Sequence, residues 1–215
     1  MESVAVLSSG GLDSCAMIGE LAKTSTVYPL YVNAGLVWEK EERAALEAFL
    51  RAANLPSVQP VQELAVPVSS LYGEHFSVTG KGVPEYDEPD ETVYLPGRNI
   101  LLISLAAVWC SLHDVHRIAI GSLDHNPFPD ASPAFFKALA GVLSQGLGYS
   151  IEVLAPFRAT EKSQVIKEHS NLPLEYSISC MAPKGGVHCG ACNKCRERQE
   201  AFAEAGVLDR TRYGK

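Results

Sequence analysis

The stretch Val4-Ala5-Val6-Leu7-Ser8-Ser9-Gly10-Gly11-Leu12-Asp13-Ser14 decides the fold. A short apolar run ends in a glycine pair flanked by serines, and a helical pattern opens at Leu12, so the order is strand, tight turn, helix. Paired glycines reach φ > 0 at no steric cost and present N–H groups to an anion at the positive end of a helix. Ser8, Ser9 and Ser14 add hydroxyl donors. The bland reading is a plain strand-to-helix turn, since serine-flanked glycine pairs are common. The register with both a strand and a helix favours a phosphate cradle.

The familiar phosphate loop G-x-x-x-x-G-K-[ST] carries a lysine for the β/γ-phosphates, and this loop has none. The nearest, Lys23, lies roughly 15 Å from the helix start at 1.5 Å rise per residue. A loop so built is poorly equipped to move a γ-phosphoryl group. It suits the pyrophosphate half of ATP while the α-phosphorus is attacked.

Outward from the loop, apolar β-branched runs at 4–8, 26–32, 57–66, 117–121 and 151–154 alternate with helical patterns at 12–22, 39–53, 99–112, 133–146 and 160–168. That alternation predicts βαβ units: an α/β fold with a parallel sheet, strands buried on both sides and helices on both faces. Ligands of such sheets gather outside the carboxyl ends of the strands, where the loop falls. Between Pro67 and Leu95 the periodicity fails, and glycines, prolines and the acidic residues Glu85, Asp87, Glu88, Asp90 and Glu91 take over. A segment of that length reads equally as a lid or as a solvated acidic loop.

With 215 residues and 47% hydrophobic content the chain holds one substantial core. The expected division is a nucleotide-binding domain over 1–176 and a C-terminal segment over 177–215. A net charge of −7 argues against broad nucleic-acid binding. No run approaches the ~20 apolar residues of a membrane span, and no targeting pattern opens the chain, so the expected location is cytoplasmic.

Of six cysteines, Cys15 and Cys110 fall in apolar helical patterns and read as buried thiols. Cys180, Cys189, Cys192 and Cys195 form C-x8-C-x2-C-x2-C, with Gly185, Gly186 and Gly190 turning the chain between them. Four thiolates at about 2.3 Å close a tetrahedral Zn²⁺ site with no open position, so the ion is expected to be structural. An iron–sulfur cluster is the rival. Such a site should pin a helix over Asn193–Ala205. His188 reads as a surface histidine, with substitute ligation as the alternative.

Together, the loop, the predicted sheet and the cysteine cluster resemble QueC, the 7-cyano-7-deazaguanine synthase family of the PP-loop (adenine nucleotide α-hydrolase-like) superfamily. The resemblance extends to Leu95-Pro96-Gly97-Arg98-Asn99, Gly121, Pro129-Asp130, Lys162 and Asp209–Tyr213 near the end of the chain. It implies conversion of a carboxylate to a nitrile with ATP, Mg²⁺ and ammonia, through an acyl-adenylate, in queuosine or 7-deazapurine biosynthesis. Ser8, Ser9, Gly10, Gly11, Leu12, Asp13 and Ser14 are then the nucleotide-binding residues. Asp13 would touch the metal or cap the turn, and Arg98 would stabilise charge at the reacting phosphate or carboxylate. Lys162 would reach the phosphates or else solvate a helix face. The family also implies a homodimer.

Two departures bear on the substrate. Where the family shows Asp-Tyr-Gly-Gln-Arg-His, this chain has Asn33-Ala34-Gly35-Leu36-Val37-Trp38, and its Cys-Arg after Pro129-Asp130 is Ala131-Ser132. Lost hydrogen-bonding groups in a site that reads a polar base are costly. Two other readings therefore stand beside the first: a related enzyme adenylating another carboxylate on a small molecule or protein, and a catalytically silent nucleotide-binding module. Trp38, Tyr94 and Phe128 are the stacking candidates for the base.

Overall fold

The computed structural model describes residues 2–124 and 126–214. In chain order the elements are β1 (Glu2–Leu7), α1 (Leu12–Leu21), β2 (Ser25–Asn33), α2 (Glu39–Ala53), β3 (Gln62–Ala65), the one-turn helices α3 (Ser69–Tyr72) and α4 (Phe76–Thr79), α5 (Arg98–Leu112), β4 (Arg117–Ala119), α6 (Pro133–Leu147), β5 (Glu152–Leu154), α7 (Lys162–Glu168) and α8 (Asn193–Ala205). The strands form one parallel sheet in the order β3-β2-β1-β4-β5. Strand order reverses between β1 and β4, and the crevice at their carboxyl ends is the natural ligand site of such a sheet.

The period-2 alternation of β1 builds the two layers. Val4 and Val6 enter a core shared with α1, α2, α7 and α8, where Met17, Phe49, Ile166 and Phe202 pack. Ala5 and Leu7 point the other way, into a core with Ile103 and Trp109 of α5 and Phe136 of α6. The expected burial on both sides holds for the middle of the sheet and fails at its edges: β3 alternates half-buried with exposed residues, and β5 is at best half-buried. The run at 57–66 also does not form one strand. Val58 makes an isolated bridge to Val27, and Pro60, which has no N–H to donate, separates it from Gln62.

A third cluster caps the carboxyl end of the sheet. Ala34, Leu36 and Trp38 pack there with Val68, Phe76, Leu95, Ile178 and three of the four C-terminal cysteines. Residues 67–95 therefore lie against the cysteine segment. Glu85 bridges Cys192, the Tyr86 hydroxyl donates to Gln199 at 3.2 Å, and the Asn193 amide donates to the Glu88 carbonyl at 3.4 Å. None of the helices described is long and apolar enough to cross a membrane.

Candidate active site

Gly10 alone of the glycine pair takes the left-handed conformation, with φ at +73°. Any Cβ there would meet the Glu42 carbonyl oxygen at 2.4 Å, so the loop rests directly on the first turn of α2. Gly11 is extended, at φ −70° and ψ 159°, and is the N-cap of α1, which carries no side-chain cap. The first N–H groups of α1 are thereby left for a ligand. The Ser9 hydroxyl accepts from Gly11 N–H at 3.2 Å. Ser8 and Ser14 are buried and donate to the carbonyls of Val6 (2.8 Å) and Gly11 (2.9 Å), so their hydroxyl protons brace the turn.

Across the switch point, Gly121 follows β4 and lies against the loop, where a Cβ would sit 3.4 Å from that of Asp13. Asp13 faces inward from the first turn of α1. One of its carboxylate oxygens lies 3.6 Å from Lys162 Nζ, while the other is buried without a hydrogen-bond partner among the described residues. Burial raises the Asp13 pKa and Lys162 opposes the rise. Lys162, at the start of α7, also pairs with Glu197 of α8, which Lys194 approaches at 2.8 Å. Although burial pushes Glu197 up, the two ammonium groups win and bring its pKa down to about 2. Lys162 is thus turned into the site.

Arg98 opens α5 behind Gly97, whose φ of +72° turns the chain sharply. No carboxylate pairs with its guanidinium among the described residues. Asn99 is held by buried Asp130: its N–H donates to Asp130 Oδ2 and its amide to the Asp130 carbonyl, both at 3.0 Å. The proline-glycine turn and Pro129-Asp130 therefore form one brace that aims the start of α5.

These elements enclose a cleft of about 560 Å³, within the usual range of small-molecule sites. Ser9, Gly11, Leu12, Asp13, Arg98 and Lys162 line it, whereas Ser8, Gly10 and Ser14 stand behind its wall. All three stacking candidates also line it, with Tyr94 and Phe128 stacked on each other at 4.8 Å between ring centres.

Sequence reasoning missed two carboxylates of α2, because glutamates at the start of a helix read as a solvated face. Glu39 is buried and accepts from Ala34 N–H at 2.6 Å and Gly35 N–H at 3.1 Å, bracing the unusual 33–38 stretch from below. Glu42 lines the cleft and lies 3.2 Å from the Tyr31 hydroxyl. Burial lifts its pKa to about 7 against the pull of Arg98. The legible signal was the wholly apolar Leu36-Val37-Trp38 turn immediately before them, which places the start of α2 against a core.

The four cysteines converge. Their Sγ atoms all lie within 4.8 Å of one another, with Cys192–Cys195 at 3.5 Å and Cys189–Cys195 at 3.9 Å. Ligands 2.3 Å from a tetrahedral ion stand about 3.8 Å apart, so the donor set fits one metal. Backbone N–H groups of Ala182 and Cys189 point at Cys180 Sγ at 3.3 and 3.2 Å, and that of Ala191 at Cys189 Sγ at 3.4 Å, as suits thiolates. His188 is not the surface residue expected. It is 3% exposed, with Nε2 accepting from Ser179 N–H at 3.0 Å, and it is absent from the metal-competent group. Burial holds its pKa down at about 4. The helix Asn193–Ala205 forms as the spacing predicts. Cys180 also borders the cleft, and two residues earlier Ile178 N–H donates to the Gly10 carbonyl at 2.8 Å.

Comparison with known proteins matches residues 3–206 to the family model described as Queuosine biosynthesis protein QueC. A 7-cyano-7-deazaguanine synthase of Stutzerimonas stutzeri is 32% identical, covering 97% of this chain and 96% of its own. Another from Stenotrophomonas maltophilia is 31% identical over 99% of this chain and 100% of its own. Among solved structures, a predicted subunit of tRNA methyltransferase from Methanocaldococcus jannaschii superposes with a TM-score of 0.53, covering 100% of this chain and 93% of that one. At 12% identity that likeness concerns the fold alone.

Proposed function

The chain belongs to the QueC family, and on that premise we propose that it is an ATP-dependent carbon–nitrogen ligase converting 7-carboxy-7-deazaguanine and ammonia to 7-cyano-7-deazaguanine. The observation that carries the reading is the lysine-free 8–14 loop at the β1/β4 switch point, opposite Arg98 in one cleft.

The chemistry divides into two activations. In the first, the substrate carboxylate attacks the α-phosphorus of ATP and pyrophosphate leaves, giving an acyl-adenylate. Ammonia then forms the C–N bond as the C–O bond breaks and AMP departs with the electron pair. The resulting amide oxygen attacks a second ATP, and loss of AMP leaves the nitrile. A free carboxylate would have to expel oxide, whereas AMP leaves readily, so the protein's task is positioning and charge stabilisation.

In this reading the N–H groups of the loop and of the α1 start receive the departing pyrophosphate, and Lys162 neutralises it. Arg98 offers a planar fork to the carboxylate or the α-phosphate. Tyr94, Phe128 and Trp38 supply aromatic surface for the base. Buried Asp13 Oδ1, lacking a partner among the described residues, suits a contact to Mg²⁺, which would offset charge on the pyrophosphate. Cys180, Cys189, Cys192 and Cys195 would hold a structural Zn²⁺, their four thiolates leaving no open position. Residues 1–176 are then the nucleotide-binding domain and 177–215 the metal-bearing segment. Thiols kept reduced for a metal suit a cytoplasmic protein, and a homodimer is the assembly the family implies.

The apolar 33–38 stretch is compatible with the same acceptor, because Ala34 and Leu36 are buried in the core while Trp38 still lines the cleft. Purified protein with ATP, Mg²⁺, ammonium and 7-carboxy-7-deazaguanine is expected to yield the nitrile mass together with AMP. AMP formed only with another carboxylate would reassign the acceptor, and no AMP with any carboxylate would overturn the ligase reading. Metal analysis is expected to return zinc, and iron with a visible absorption band would overturn that assignment.

A further inference from the structure

Beside the main cleft, under the 33–38 stretch, lies a second cavity of about 20 Å³. Its walls are mostly aliphatic, including Val32, Ala34, Leu36 and Leu102. Into this apolar space come Glu39, Glu42 and Arg98, and Glu42, Leu95 and Arg98 line the main cleft as well. A cavity needs about 10–15 Å³ to hold one water, and ammonia is of similar size. The space is therefore scaled to one such molecule and adjoins the cleft in which the acyl group is activated.

The two carboxylates are not equivalent. Both oxygens of Glu39 are engaged by backbone N–H groups of Ala34 and Gly35. Glu42 is fixed through Oε2 at the Tyr31 hydroxyl, and an ionised carboxylate has about four acceptor sites, so capacity remains for a nitrogen ligand. We propose that this small cavity is the docking site for ammonia and that Glu42 accepts the protons its nitrogen sheds.

The inference rests on the ligase reading and deepens it. Between ammonia and a nitrile, all three N–H protons must leave one nitrogen. In the first stage the C–N bond forms, one N–H proton passes to Glu42, the C–O bond breaks, and AMP takes the electron pair. In the second, the amide oxygen is adenylylated as pyrophosphate leaves. The two remaining N–H protons then pass in turn to Glu42, the C–O bond breaks and AMP again departs with the pair. Between transfers Glu42 returns its proton to water in the cleft.

The groups facing Glu42 favour this exchange near neutral pH. Burial raises its pKa to about 7, Glu39 on the same helix adds to the rise, and Arg98 from α5, Tyr31 from β2 and the Trp38 indole counter it. A base titrating near the working pH is the most effective one.

The test is Glu42→Gln, which keeps the size of the side chain and its contact with Tyr31. Nitrile formation is expected to fall about 100-fold, far more than carboxylate-dependent exchange between ATP and labelled pyrophosphate. With free NH3 held constant, the rise of the parent's ammonia-dependent rate through pH 7 should vanish, and Glu42→Asp should restore it in part. Independently, Ala34→Leu, which fills the cavity, should raise the KM for ammonium about tenfold while exchange persists. Equal loss of exchange and nitrile in Glu42→Gln, unchanged nitrile formation, or a retained pH limb would each overturn the proposal. Absence of exchange in the unaltered protein would overturn the ligase reading, and the ammonia site with it.

Discussion

At the scale of single residues, Gly10 is where the backbone leaves no choice. Its left-handed φ of +73° and the 2.4 Å approach a Cβ would make to the Glu42 carbonyl act together. Gly10→Ala should cost at least about 2 kcal/mol, read as a lower urea midpoint at unchanged slope. Gly11→Ala, at an extended φ, should cost far less. Arg98 makes the opposite kind of claim, because its guanidinium has no carboxylate partner among the described residues and its loss leaves folding nearly untouched. Arg98→Ala should lower kcat/KM for AMP formation by about 10²–10³, with Arg98→Lys recovering little, since an ammonium lacks the planar fork. The sequence displayed the glycine pair and the arginine but not which glycine is strained. Nor did it display Glu42, whose role depends on Tyr31 and Arg98, remote in the chain and adjacent only once the sheet has formed.

Among the elements, α6 shows how local signals suffice. Ser132 accepts from Phe135 N–H at 3.2 Å, proline follows at the first helical position, and Gly148 closes the helix in the left-handed region. Ser132→Ala should cost about 1 kcal/mol in denaturant unfolding. Every strand was likewise visible as a β-branched run between helical patterns, except that Pro60 divides the third, and the sequence does not say which strands become edges. That depends on strand order, which follows from the crossovers. The 67–95 segment was unreadable for another reason. Its buried apolar residues, Val68, Phe76 and Leu95, find their partners in segments remote in the chain, the 33–38 stretch on one side and the cysteine segment on the other. Cys192→Ala should consequently release the metal and expose both segments together, detected as joint protease cleavage within 67–95 and 177–192.

For the molecule as a whole, stability should track the unequal fates of its buried carboxylates. Glu42, lifted to about 7, leaves the native state holding more protons than the unfolded chain between pH 4.5 and 7. Its contribution is complete below about 4.5 and is lost as the pH rises through 7. Glu197, brought down to about 2, stabilises above about 4.5 and loses that contribution as the pH falls toward 2. Glu42→Gln should therefore gain stability relative to the parent from pH 4.5 to 7 and hold a constant advantage above, in denaturant titrations across that range. The single hydrogen bond from Ile178 N–H to the Gly10 carbonyl has a wider consequence. It joins the chain leading to Cys180 directly to the glycine loop, so the proposed metal and nucleotide sites share one backbone contact. By reciprocity, whatever factor an ion at the thiols lends to nucleotide affinity, the nucleotide must return to the ion.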